Sequence, residues 1–535
     1  MKLGRFVRTV APLRPIQIYG RLIFRLRRPR PNPAAPPERR SLSGWVPSIV
    51  HPDCLSGPGR VTLLNRQGEI DRAEQWNDPG QDKLWLYNLH YFDALAAPAD
   101  NERQQWRRDL VCRWIEENPP GEGNGWEPYP ASLRIVNWIK WALNGAPLES
   151  AWLHSLAVQA RWLEQRLEWH LLGNHLFANA KALVFAGLFF EGPEAERWLA
   201  RGLNILDAEI AEQILADGGH FELSPMYHSI LLEDLLDMLN LAAAAGAAGR
   251  APFPAWRDVA RKMGHWLAAM THPDGRIAFF NDAAFGVAAE PAALAAYAER
   301  LGIARSEPPG EGITHLASSG YVRLARGRAV ALLDVGRIGP DYLPGHAHAD
   351  TLSFELSVDG ARIIVNGGTS TYAGARRARE RGTSSHATVT VAGTDSSELW
   401  SAFRAGRRAR IVELTVAEDG DALCVSAGHD GYRFLAGRPR HRRAWRLTRD
   451  GLSVVDEIVG GSHRAIARFP LHPDVAAEID SDGRGAALGG GLRWDSSAPL
   501  AAEPFEWSPE FGLSVPTLAL SAPAAPAALT TRLSW

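Results

Sequence analysis

A helical domain followed by an all-β domain is the fold this chain predicts, on two observations and one boundary. From about Asp100 to Leu301 apolar residues recur at helical spacing, with Gly or Pro between the segments. Past Glu307-Pro308-Pro309-Gly310 the pattern turns to short β-rich runs separated by Gly and Asp turns. A chain of 535 residues is too long for one ordinary core, so a division at this boundary is expected.

The elements follow in order. Residues 1–40 form a basic arm that carries Lys2, Arg5, Arg8, Arg14, Arg21, Arg25, Arg27, Arg28 and Arg30, with no acid before Glu38. It reads as a solvated, Pro-ended lead-in, with an amphipathic membrane-surface arm as the alternative. Arg14, Arg21 and Arg25 interrupt every apolar run in it, so no secretory signal is recognised, and no long apolar stretch predicts a transmembrane helix. The helical domain is placed at 41–305, its first part, to about residue 100, being mixed in character. Its helices are expected at Glu102–Glu117, Ala131–Leu143, Leu148–Trp169, Leu176–Phe190, Glu194–Leu215, Ser229–Ala245, Ala255–Met270 and Ala292–Leu301. Such helices can build stacked pairs, a toroid or a solenoid, and the lack of a fixed repeat disfavours repeat arrays. The β-domain is placed at 314–535, with strands such as Gly320–Leu324, Ala329–Val335, Leu352–Val358, Arg362–Val365, Ala387–Val391, Ile411–Val416 and Leu452–Val459.

Composition narrows the function. Lys+Arg 58 against Asp+Glu 60 gives a net charge of −2, so a general nucleic-acid binder is not expected and an anionic partner must be met by local patches. The three cysteines, Cys54, Cys112 and Cys424, are far apart and offer neither a disulfide framework nor a cysteine zinc site. Nineteen Trp suit sugar-stacking platforms, although core packing is their commoner use.

Four polar constellations lie where elements join. Gly173-Asn174-His175 precedes a helix that either residue could cap. Gly219 to His228, GHFELSPMYH, interrupts two long helices with Glu222, Tyr227 and His228. In Gly345-His346-Ala347-His348-Ala349-Asp350, an extended backbone would put His346, His348 and Asp350 on one face, as a metal or a catalytic set. The loop Thr369 to Ser385, followed by His386, carries Arg376, Arg377, Arg379 and Arg381, a patch suited to carboxylate or sulfate.

Together, from about residue 85 to 470, these motifs resemble the heparinase II/III-like polysaccharide lyase family, most specifically over GHAHADTLSFELSVDGARIIV. The resemblance implies an incomplete (α/α) toroid packed on an antiparallel β-sandwich, with a polysaccharide cleft between them. It also implies cleavage of acidic, uronate-containing polysaccharide by β-elimination, in the periplasm or envelope, with the cytoplasm as the alternative because no secretory signal is recognised. The residue types suit that chemistry. A weakly acidic C5–H beside a carboxylate needs that carboxylate neutralised, a task for Asn174 and His175. Tyr227, if cationic neighbours lower its pKa, can move a proton at C5 or at the leaving oxygen, with His346 as base or second carboxylate clamp. Family members can hold zinc in the β-sandwich. The corresponding positions are His348, Asn366 and His386, where Asn366 stands in place of an expected Asp and is a poorer ligand. Trp126 and Arg134 in WEPYPASLR, with Glu222, His228, Arg376 and Arg379, are assigned to substrate binding. Two other readings remain open. A glycoside hydrolase would use Glu222 and Asp282, although Asp282 as a helix cap is simpler. A glycan-binding protein would keep the cleft without turnover.

Overall fold

A computed structural model describes residues 3–535. Its helices are α1 (Leu3–Val10), α2 (Pro15–Leu26), α3 (Lys83–Leu89), α4 (Asn101–Glu117), α5 (Pro128–Leu143), α6 (Ser150–Gln165), α7 (Gly173–Phe189), α8 (Pro193–Gln213), α9 (Pro225–Ala244), α10 (Phe253–Ala269), α11 (Pro291–Arg300) and α12 (Gly374–Glu380). Prolines in the first turns of α5, α8, α9, α10 and α11 start these helices where a missing N–H costs nothing.

The toroid follows from which helices are apolar all round. In α7 every residue but His175 is buried, and α9 is nearly as buried, so both must be enclosed by other helices. α7 packs between α5 and α9 on the inside and against α6 and α8 on the outside, while α10 and α11 cover α9. Because α5, α7 and α9 are joined through outer helices they run parallel, and their N-termini emerge at one end of the domain.

The β-domain is antiparallel throughout. A five-stranded meander runs from Gly312–Leu316 to Ala361–Ile364, and a four-stranded sheet takes the order Ala501–Trp507, Val515–Pro523, Ala465–Pro470, Val389–Val391. Both share one apolar core with an eight-stranded sheet that starts at Ile411–Asp419, as the Phe354–Trp445 and Phe469–Trp494 ring contacts show. The two domains are joined by side chains as well as by chain: Phe279 stacks on Trp507 at 5.9 Å inside the helical core.

Two expectations are corrected here. The arm is not a solvated lead-in, because α1 and α2 are helical and docked on the body of the protein. Residues 345–353 are not extended either; the strand begins at Phe354, so His346, His348 and Asp350 do not form one sheet face.

Candidate active site

The candidate site lies where the N-termini of α5, α7 and α9 meet the loops of the β-domain. Asn174 and His175 open α7, and Tyr227 lies in the first turn of α9. The backbone is forced before α7 and α9: Leu172 and Leu223 adopt positive φ, at 63° and 60°, a conformation that apolar branched residues avoid unless the surroundings dictate it. Gly173 admits no side chain, since a Cβ there would overlap Leu343 and lie 2.9 Å from Glu222.

Asp282 organises the site. Its buried carboxylate accepts from His346 Nδ1 at 2.8 Å and His348 Nε2 at 2.8 Å, and it takes both arms of the Arg377 guanidinium. Burial alone would raise its pKa, but Arg377 and the two imidazoles hold it well below the usual carboxylate range. With Nδ1 occupied, His346 directs Nε2 into the cleft, 3.2 Å from Asn174 Nδ2 and 3.4 Å from Glu222 Oε2. The Tyr227 ring lies on the His346 ring at 3.8 Å, and its hydroxyl is 2.8 Å from that of Tyr372. Burial and the second phenol push Tyr227 well above the usual tyrosine range; the expected lowering is therefore corrected, and Tyr227 is a neutral phenol at rest.

Two further groups tune the α7 end. Burial would lower His175, but Glu168, 3.2 Å from its Nδ1, raises it overall, which favours an imidazolium under the Tyr129 ring. Burial raises Glu222, so its carboxyl holds a proton more readily than a solvated glutamate.

The supporting shell is built from distant segments. Asn281 receives the His348 N–H on Oδ1 and donates Nδ2 to Leu223 O, tying three loops together. Arg381, buried, donates to the carbonyls of Ala347 and Ala402 and so fixes the loop that carries both histidines.

Several expected binding residues are elsewhere. Trp126 and Arg134 belong to the aromatic core: Trp126 is buried, and Arg134, fully buried, stacks on Trp114 and donates to Gln159. His228 is fully buried and bonded to Met263 O. Arg376 and Arg379 point outward to Glu506, while Arg377 between them turns in to Asp282. Of that set only Glu222 reaches the cleft. Asp282 is not a helix cap; Arg377 of the arginine patch and Tyr129 of WEPYPASLR reach the site, and Tyr372 completes it without having been singled out.

The proposed metal set was tested against its own donors. His348 spends Nε2 on Asp282, and its Nδ1 faces His386 Nε2 at 3.2 Å. The Asn366 amide is satisfied by backbone at both ends, giving to Phe279 O and accepting from Ala387 N, and the nearest carboxylate is neutralised by Arg377. No three His, Cys, Asp or Glu side chains converge on one point among the described residues. The residues do not fit a zinc ion.

Comparison with known proteins agrees with this architecture. Residues 95–299 match the family model "Heparinase II/III N-terminus", and residues 308–535 match "Heparinase II/III-like, C-terminal". A heparin-sulfate lyase of Bacteroides stercoris is 28% identical over 320 residues, 55% of this chain and 45% of that protein, so the chain spans less than half the length of that relative. FtsZ-localized protein C of Caulobacter vibrioides is 27% identical over 500 residues, 88% of this chain and 83% of that protein. The crystal structure of a heparinase III superposes with a TM-score of 0.68 at 19% identity, over 88% of this chain and 79% of that one. That likeness establishes the toroid-plus-sandwich fold.

Proposed function

The chain belongs to the heparinase II/III-like family, and from that premise we propose that it is a lyase that cleaves a uronate-containing acidic polysaccharide by β-elimination. The observation that carries the proposal is the Asp282–His346–Tyr227 arrangement facing the N-terminus of α7.

The uronate carboxylate is received at the start of α7, where the helix end, the Asn174 amide and the His175 imidazole, its proton affinity raised by Glu168, favour negative charge, and burial raises the proton affinity of the neighbouring Glu222. The same groups stabilise the enolate-like charge as C5 is deprotonated. His346 Nε2, freed by the bond from Nδ1 to Asp282, takes the C5 proton. The electron pair of that C–H bond forms the C4–C5 double bond, and the C4–O bond breaks. Tyr227, neutral at rest, gives its proton to the departing oxygen, and Tyr372 steadies the phenolate through the hydroxyl pair. Proton return from His346 to Tyr227 resets the enzyme. No step calls on a metal, since the His348, Asn366 and His386 positions do not suit one. On this reading the enzyme works in the periplasm or at the cell envelope, where such polymers occur.

A hydrolase would need Glu222 and Asp282 as its acid and nucleophile or base, but Asp282 is spent on Arg377 and two histidines. A binding protein has no use for a proton-transfer set. The substrate is named by incubating the protein with hyaluronan, heparan sulfate, chondroitin, alginate, glucuronan and bacterial exopolysaccharides. The polymer that yields unsaturated uronate ends is the substrate; no unsaturated product from any of them overturns the lyase proposal.

A further inference from the structure

Helices α1 and α2 present an apolar face that none of the described residues covers. In α1 it consists of Leu3, Phe6 and Val7; in α2, Ile18, Tyr19, Leu22, Ile23 and Leu26 are 50% to 74% exposed. Sixteen large apolar side chains are exposed among the described residues, and half of them crowd into positions 3–26, which is a patch and not the scatter that any surface carries. The spacing 18, 22, 26 and 19, 23 puts the α2 members on one face.

The opposite faces are anchored. Gly20 lies against His170, Phe24 stacks on that ring at 4.3 Å, and Gln17 donates to Tyr342 O. Arg14 is held by Glu212, Arg5 and Arg8 by Glu398, and Trp400 donates to Thr9. The apolar face is therefore turned outward by the fold. Beside it Arg21, Arg25, Arg27, Arg28 and Arg30 are exposed, with no ion-pair partner among the described residues.

We infer that α1 and α2 dock the protein on an anionic phospholipid surface, with the apolar face in the headgroup region and the arginines on lipid phosphates. At 8 and 12 residues the two helices are too short to cross a bilayer, so they lie along it. A polynucleotide would pair with the arginines but leave the apolar side chains in water. A second copy of the chain would cover the apolar face but bring like charges together. Since α2 rests on the loop of Tyr342 and Leu343 beside Gly173, docking holds this end of the cleft at the bilayer. The inference does not depend on the lyase reading.

The test is co-sedimentation of the full chain with vesicles of phosphatidylcholine alone and of phosphatidylcholine with an equal part of phosphatidylglycerol. Binding is expected to the mixed vesicles, falling as salt rises. Leu22→Glu with Ile23→Glu should lower that partition at least about tenfold, and Arg25→Ser with Arg28→Ser should weaken it at low salt. Both variants alter exposed side chains and should keep the thermal midpoint of the parent. No binding of the intact chain to mixed vesicles would overturn the inference, as would equal binding by the Leu22/Ile23 variant. So would a change in solution mass in place of vesicle binding, which would assign the face to a second copy. Failure of the lyase reading shows separately, as absence of unsaturated product from soluble glycan.

Discussion

Asp282 sets the orientation of His346, because its carboxylate accepts from Nδ1 and leaves Nε2 facing Asn174 and Glu222. Asp282→Asn is expected to lower kcat about 10³-fold with KM little changed. It should also cost about 3 kcal/mol of stability, since the buried Arg377 charge loses its partner. Tyr227→Phe removes only the hydroxyl, so turnover should again fall about 10³-fold while glycan affinity, read by calorimetry, is unchanged; full activity in that variant would remove Tyr227 from the mechanism. These residues differ in how plainly the sequence announced them. Asn174, His346 and Tyr227 stand in short motifs at element junctions and could be named there. Asp282 reads in the sequence only as a hydrolase carboxylate or a cap, because the partners that show its actual role come from positions 346, 348 and 377. Among the arginines the patch was visible, but only the turn of α12 decides that Arg377 faces inward and Arg376 and Arg379 outward.

The parallel run of α5, α7 and α9 gathers three helix N-termini at one cleft wall, which places Tyr129, Asn174, His175 and Tyr227 together although they span a hundred residues. Gly173 is the tightest point of that wall. Gly173→Ala would force a methyl group onto Leu343 at a positive φ, and the displaced Asn174 should lower kcat/KM about 100-fold while the protein stays folded. Steady-state kinetics beside a thermal melt would check this. Helices of the toroid were legible because their apolar period is long and Pro or Gly marks their ends. α1 and α2 were not, since α1 buries no residue, α2 buries only Gln17 and Gly20, and both leave apolar residues in solvent. WEPYPASLR shows the same limit: a helix entry was recognisable, but it is Tyr129 that reaches the cleft while Trp126 and Arg134 turn into the core.

The whole molecule stores many neutral, buried histidines, and this sets its response to acid. Burial pushes His90 and His228 down to about 3, whereas an unfolded histidine titrates near 6.5. As pH falls below about 6.5 the unfolded chain takes up protons that the folded one refuses, so stability declines toward the folded values. Two such groups give a slope of about 2.5 kcal/mol per pH unit near pH 5; His220 and His386, lowered by burial and a neighbouring histidine, steepen it. Asp282 adds a loss at still lower pH, because its depressed carboxylate contributes stability above about pH 4 that disappears on protonation. Urea unfolding between pH 7.5 and 5 should show the decline. Chelation is expected to change neither the unfolding midpoint nor turnover, given the donors at His348, Asn366 and His386. The measurement that reaches the central claim most directly counts unsaturated uronate by ultraviolet absorbance alongside new reducing ends during digestion of an acidic glycan. One unsaturated end per reducing end is the predicted result; reducing ends without the absorbance would mean hydrolysis and contradict the account.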